Sequence, residues 1–330
     1  MSGRTPRAPR KGSEIEPNPL RPHVAAIDCI QAWQTPYSIA FDEELKSRFP
    51  DLFCENYFKV LNASLDNDTK EAYGSGILRF TQFCDVYKIP EKDRMPASVV
   101  LLSAFLSFYA GKVSGSAVKN WMSGIAAWHA MSGAPWYGDQ ALVTRMKTGV
   151  ARLAPSSSRC QPRPPASLQH ILVLLQFLDL SNPFDIVVAV VAVCAFLACC
   201  RLGELTVPSR AGYSDKLHVS RSAKFSMSTI AFGDCSSVIT ELPILWTKTM
   251  KELGATLRII DTVALPFSEL FQSHLRINEG APQSGHLFAY KDKDGLFVPL
   301  TKSAFLKRCY EIWKAQGMCS LRDTASVLVV

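Results

Sequence analysis

Apolar positions recur at helical spacing through the first half of the chain. In "DNDTKEAYGSGILRFTQFCDVYKIP", Tyr73, Ile77, Phe80, Cys84 and Tyr87 fall on one stripe; acids open the stretch and Pro90 closes it, which predicts a helix. "PASVVLLSAFLSFYAGK" begins with Pro96 at a first-turn position and stops at Gly111, a second helix. "SGSAVKNWMSGIAAWHAMSGAPW" aligns Val118, Trp121, Met122, Ile125 and His129 before Gly133 and Pro135 end it. A fourth helix over residues 139–153 buries Leu142, Met146 and Val150 and turns Arg145 and Arg152 outward. His129, alone on an apolar stripe, reads as a core histidine with its hydrogen bonds satisfied.

The stretch "APSSSRCQPRPPA" (154–166) has the composition of a linker and carries Arg159 and Arg163. Beyond it come two apolar helices, "SLQHILVLLQFLDL" and "NPFDIVVAVVAVCAFLACCRLGEL". Residues 186–200 of the second form an uninterrupted apolar run between Asp185 and Arg201. A membrane span needs about 20 such residues, so the run predicts a buried core helix. The rhythm then changes to β-branched runs and turn signals. Residues 238–246 and 255–260 predict a hairpin with Lys248, Lys251 and Gly254 at its tip. A helix ("FSELFQSHLRI"), a strand-like "HLFAYKDKDGLFVPL" and an amphipathic helix ("TKSAFLKRCYEIWKAQG") follow. The expected fold class is mainly α with a small antiparallel β-sheet in the second domain, an α+β chain. Its expected divisions are a tail and lead-in at 1–50, a helical domain at 51–153, the linker, and a second domain at 167–330. Residues 1–22 alternate Arg4, Arg7, Arg10 and Lys11 with prolines and predict a disordered basic tail, either simply solvated or serving as a DNA contact or nuclear address.

Bulk composition narrows the picture. With 330 residues, 48% hydrophobic and 20% charged, the chain can bury two cores. A net charge of +7 favours polyanionic partners. The ten cysteines form no framework: Cys199 and Cys200 are adjacent, whereas Cys29, Cys54, Cys84 and Cys160 are scattered, and no CxxC or zinc-like spacing occurs. Buried thiols in a reducing intracellular compartment are expected, with no cleavable signal peptide, no membrane partner, no metal and no cofactor.

One segment asks for more than packing. "VAVCAFLACCRLGELTVPSR" ends its apolar run in Arg201, with Gly203 and Glu204 close behind. Taken with "LPILWTKT" on the hairpin and with "PASVVLLSAFLSFYAG" and "GIAAWH" upstream, "ACCRLGEL" resembles the tyrosine recombinases, the family of phage integrases and site-specific recombinases. The likeness spans roughly residues 60–320 and is strongest to forms carried by mobile elements in fungal genomes. The resemblance implies a helical core-binding domain that clamps duplex DNA, followed by a catalytic domain. It implies a metal-free reaction in which a tyrosine forms a 3′-phosphotyrosyl bond, two arginines hold the non-bridging oxygens and a hairpin lysine protonates the leaving 5′ oxygen. A guanidinium suits that task because its planar fork matches phosphate oxygens and can be preorganised. By resemblance Arg201 is the first phosphate-gripping arginine, Glu204 its orienting partner, and Gly203 the residue that lets the chain turn past it. Lys248 matches the hairpin lysine, with Lys251 its rival. Lys112, Lys119 (next to Asn120), Arg145, Arg152, Arg159 and Arg163 are candidate DNA contacts. The implied partner is double-stranded DNA in the nucleus, with homo-oligomers assembling on it.

The sequence departs from the family where a histidine–x–x–arginine box, a second histidine or tryptophan and the tyrosine nucleophile belong. His286 has no arginine three residues on, and Tyr290 and Tyr310 precede the place for the box. The final "RDTASVLVV" can be back-translated so that a shifted frame reads Gly-His-Cys-Phe-Arg-Ile-Gly-Gly, which contains the box. A frame slip, leaving an incomplete catalytic domain without cleavage activity, is the expectation. The alternatives are a non-enzymatic helical DNA-binding protein and a protein-interaction module.

Overall fold

A computed structural model describes residues 3–6, 8, 14–159, 165–232 and 235–318. Arg7, Arg10, Lys11, Cys160, Arg163 and the segment 319–330 with its shifted-frame reading lie outside the described residues. The chain divides into two compact units, residues 1–161 and 162–330, a division that falls within the stretch 154–166.

The first unit is helical: α1 (Ala26–Ala32), α2 (Pro36–Arg48), α3 (Asp51–Ala63), α4 (Asn67–Val86), α5 (Glu91–Arg94), α6 (Val99–Tyr109), α7 (Gly115–Met131) and α8 (Ala141–Arg152). Its centre is α4, which packs on α1 and α7. Glycines make those crossings close. A Cβ on Gly76 would stand 2.6 Å from the Trp121 Cα and carbonyl oxygen, and one on Gly124 would stand 2.4 Å from the Tyr73 carbonyl oxygen. Ile77, Phe80, Phe105, Leu102, Leu106 and Ile125 fill the core, with Phe80, Phe83 and Phe105 meeting edge to face. His129 lies in this core fully paired: Nε2 accepts from the Ala97 amide at 2.9 Å, and Nδ1 lies 2.8 Å from the Ile125 carbonyl oxygen.

Three expectations need correction. Pro96 precedes α6 rather than opening it, because the Ser98 hydroxyl accepts from the Leu101 amide and sets the helix start at Val99. In α8 the buried stripe runs through Val143 and Val150, with Met146 packed against the same core, and Leu142 is exposed; Val143, three positions before Met146, takes the place expected of Leu142, four positions before it. The region 1–50 is not mainly tail. It holds α1 and α2, and Cys29, Ile30 and Trp33 belong to the core. Arg21 is buried, pairing with Asp85 at 3.4 Å and with Glu91, while Arg94 reaches the same two carboxylates at 2.8 and 3.5 Å. The Glu16 amide and Asn18 side chain also donate to Asp85 and Glu91. Two cations matched to two anions, each hydrogen-bonded, make this burial of charge tolerable.

The second unit contains α9 (Leu168–Phe177), α10 (Pro183–Leu197), α11 (Leu202–Leu205), β1 (Ser226–Phe232), β2 (Cys235–Ile244), β3 (Ala255–Ile260), α12 (Phe267–Ile277), β4 (Ala289–Lys291), β5 (Phe297–Pro299) and α13 (Lys302–Ala315). The strands form an antiparallel β1-β2-β3 meander and a β4-β5 pair. The predicted hairpin is thus the outer part of a three-stranded sheet. Along β2, Thr240, Leu242 and Ile244 are buried at period two. Pro243 sits beyond Glu241, the last β2 residue in register with β1, so its missing N–H costs no bond on that side. The chain is accordingly mainly α with a small antiparallel sheet in its second unit.

Helix α10 is the axis of this unit. Every residue from Ile186 to Ala195 is fully buried, and α9, α12, α13 and β4 pack around it. Asn182 caps its start, accepting from the Phe184 and Asp185 amides, with Pro183 at N1. Among the described residues no helix is long and apolar enough to cross a membrane.

Candidate functional site

Helix α10 ends at Leu197, so Arg201 does not close it. A short connection intervenes, in which Cys199 adopts φ 49°, and Arg201 stands at the N-cap of the four-residue α11. The reversal is made by Cys199 in the left-handed region. Gly203 lies inside α11 without a positive φ, and a Cβ there would meet nothing within 4 Å. The expectation that Gly203 permits the turn is therefore overturned.

The arrangement fixes Arg201 from below and leaves its head free. Leu202 and Leu205, buried on either side of Gly203–Glu204, anchor α11 in the core formed by α10. Glu204, with only 10% of its side chain exposed, accepts the Arg201 amide at 3.0 Å, and its other oxygen meets Arg201 Nη1 at 3.3 Å. The Arg201 side chain is 51% exposed. A largely buried carboxylate thus holds the backbone and one edge of a guanidinium that is itself half exposed. A guanidinium held in this way can offer its other donors to an anion with little rearrangement.

Lys248 stands in the connection between β2 and β3, exposed and without an ion pair among the described residues. Its turn is tightly built: Thr247 and Lys251 form a bridge, Lys251 has φ 51°, and Gly254 has φ 63° where a Cβ would meet the Ile244 carbonyl oxygen at 2.2 Å. Lys251 points elsewhere, its Nζ lying 5.2 Å from the centre of the Trp246 ring. Leu242, Ile244 and Ile259 of the supporting strands share one hydrophobic cluster with Leu202 and Leu205, so the mounts of Arg201 and Lys248 belong to one core. No contact joins the two side chains.

In the first unit, Lys112, Lys119, Arg145, Arg152 and Arg159 are exposed, and none forms an ion pair among the described residues. Lys112 Nζ lies 3.8 Å from the centre of the Phe108 ring. Asn120 instead donates to the Ala72 carbonyl oxygen at 3.2 Å, a helix–helix contact. Sequence reasoning missed the scale of this charge. From residue 95 to 178, Asp139 is the only acid, and Lys112, Lys119, Arg145, Lys147, Arg152, Arg159 and Arg163 stand against it. Asp139 is itself paired, with Lys147 at 3.7 Å. The signal was available as a local charge count rather than a whole-chain one.

His286 and Tyr290, weighed against the missing box, are both buried in the second unit. His286 packs against Phe288, and Tyr290 against Phe184. Tyr310, on α13, lies against Trp313 and the same core. Among the described residues no group of three His, Cys, Asp or Glu side chains is placed to hold a metal. Cys29, Cys54, Cys84, Cys194, Cys200 and Cys309 are free and buried, and Cys199 is free and exposed. Burial pushes the Cys29 and Cys84 thiols up to about 12.

No model of a known protein family matches the chain, and no curated protein sequence matches it. Two solved structures of the XerH site-specific recombinase are similar to it. One, bound to palindromic difH substrate in a post-cleavage complex, has a TM-score of 0.48 at 12% identity, over 81% of this chain and 68% of that one. The other, bound to difH substrate in a pre-cleavage complex, has a TM-score of 0.47 at 13% identity, over 94% of this chain and 85% of that one.

Proposed function

We propose that this chain is a duplex-DNA-binding protein of the tyrosine recombinase type. The nearly acid-free stretch 95–178 with its exposed lysines and arginines carries the reading. Backbone phosphates are read by such unpaired cations, and affinity then falls steeply with salt. Arg201, braced by Glu204, would grip one phosphate, and Lys248 would approach it as proton donor. Binding without strand cleavage, in the nucleus, is the proposed activity of these 330 residues: the tyrosine and the histidine–x–x–arginine box that the resemblance asks for are not among the positions it matches, roughly 60–320. The reading divides the labour between a DNA-clamping unit and a catalytic-type unit.

The test is fluorescence anisotropy on a labelled duplex across a salt series. Arg145→Ala combined with Arg152→Ala should weaken binding at every sequence tried and lower the salt slope by roughly 2. Binding that ignores salt, or that the double substitution leaves unchanged, overturns the assignment. A covalent protein–DNA adduct on a nicked duplex would overturn the absence of cleavage. A second reading, a protein-interaction module, draws on α3, where Leu52, Phe53 and Val60 are exposed and only Cys54 is buried. Salt-independent capture of a protein partner through α3, with no DNA affinity, would favour it.

A further inference from the structure

Helix α3 stands outside the core of the first unit. None of its residues joins that unit's hydrophobic cluster. It packs on α2, and Cys54 is its only buried residue. An isolated helix of about 12–15 residues is marginal in water, so a helix of this length depends on packing its apolar face. The apolar face of α3 is turned outward. Leu52 is 78% and Val60 71% exposed, and Phe49 and Phe53, 43% and 48% exposed, stack with ring centroids 4.5 Å apart. Asn56 and Ala63 on the same stripe are exposed as well. Phe49, Phe53, Asn56, Val60 and Ala63 follow one another in steps of four, three, four and three, the spacing of a seam that packs against a second helix.

We propose that this second helix is the α3 of a second copy of the chain, packed antiparallel about a two-fold axis at Asn56. Charge selects both the occupant and the direction. Asp51 and Glu55 outnumber Lys59 on α3, so the face does not suit DNA or an anionic membrane. Glu55 and Lys59 lie four residues apart on one flank of the stripe, both exposed, and neither forms an ion pair among the described residues. In an antiparallel two-fold pair each flank faces its own counterpart with the direction reversed. Glu55 then comes within one helical turn of Lys59 of the second copy, and the symmetry makes this contact twice. A parallel pair would set that flank against the one bearing Tyr57, where the two charges find no counterpart. The antiparallel alignment also opposes Leu52 to Val60 of the second copy, and Phe49 to Ala63 of the second copy, large against small. Asn56 meets its own copy. Its amide carries both donors and an acceptor, so it can bond to itself, and a polar residue within an apolar seam fixes the register.

The inference stands apart from the DNA reading, and its test uses the full chain without DNA. Sedimentation equilibrium across the micromolar range should show monomers in exchange with dimers. Leu52→Ser combined with Val60→Ser should leave a monomer at every concentration. Far-UV circular dichroism of that variant should match the native chain, because neither side chain reaches the hydrophobic cluster. Glu55→Lys alone and Lys59→Glu alone should each weaken the dimer roughly three- to tenfold at low salt, since each sets like charges against one another across the axis. Mixed together, the two single variants should pair with each other in preference to themselves. Charge repulsion inside either helix persists in the mixture, so only contacts across the axis give that recovery. A chain that stays monomeric throughout, a dimer indifferent to Leu52→Ser with Val60→Ser, or single variants with no preference for each other overturns the proposal. A monomeric chain that floats with phosphatidylcholine vesicles overturns it too, with a lipid surface as the occupant.

Discussion

Asp185 ties the start of α10 to α13. One oxygen accepts Arg308 Nε at 2.9 Å; the other accepts Arg308 Nη2 at 2.6 Å and the Asp179 amide at 3.0 Å. The carboxylate side chain is 7% exposed and the guanidinium 30%. Asp185→Asn keeps the shape but turns an NH₂ toward donors that need an acceptor, and it removes the charge facing both Arg308 and the positive end of α10. Breaking a fully buried pair costs about 3–5 kcal/mol. Solvent reaching Arg308 screens part of that, which leaves about 2–3 kcal/mol. Arg308→Gln should cost less, because Asp185 retains the Asp179 amide and the helix dipole while the freed carboxylate gains some water. Combining the two should recover roughly 1.5–3 kcal/mol of coupling. Native-state hydrogen exchange on α10 and α13 peptides measures this locally, without requiring the two units to unfold as one. If both substitutions cost equally, or the coupling lies within about 0.5 kcal/mol of zero, the bidentate pair is not what fixes α13.

Gly76→Ala should destabilise the first unit by about 1–3 kcal/mol, because its Cβ would meet Trp121 backbone rather than a movable side chain; urea unfolding reads it directly. Gly203→Ala should instead stabilise the second unit by about 0.4–1 kcal/mol, and a loss in thermal unfolding would restore the turn role to Gly203. His129 and His274 are both pushed by burial from 6.5 down to about 4. As the pH falls, the unfolded chain binds protons at these rings before the folded one does. Stability is therefore complete above about pH 6.5, declines between 6.5 and 4, and levels off below, by at most roughly 3 kcal/mol per ring. Asparagine replacement at either residue should flatten that decline in an acid titration of Tm.

The helical stripes were legible because each is a local periodicity. Ile77, Phe80 and Cys84 point inward whatever surrounds them, and the apolar run 186–200 could only be a core. What escaped the sequence depended on partners far along the chain. Arg21 looks like one more tail cation until Asp85 and Glu91, more than sixty residues away, neutralise it. Asp185 looked like the polar end of a greasy run, since nothing local announces Arg308, 123 positions on. The choice of Val143 over Leu142 in α8 was not legible, because a stripe through Met146 and Val150 accommodates an apolar residue either three or four positions before Met146. The site was half legible. Arg201 and Glu204 do meet, but the turn before them was assigned to the glycine when a cysteine makes it, because the sequence shows which residue could adopt a left-handed backbone and not which one does.

A helix buried on every side has no soft direction. From Ile186 to Ala195, α10 can shift only if four neighbouring elements shift with it, so its amides should open to solvent only when the whole second unit unfolds. The mount of Arg201 then has no loosened intermediate state of its own. Warming should leave the Arg201–Glu204 pair in place until the unit melts, and pair and fold should disappear at one temperature.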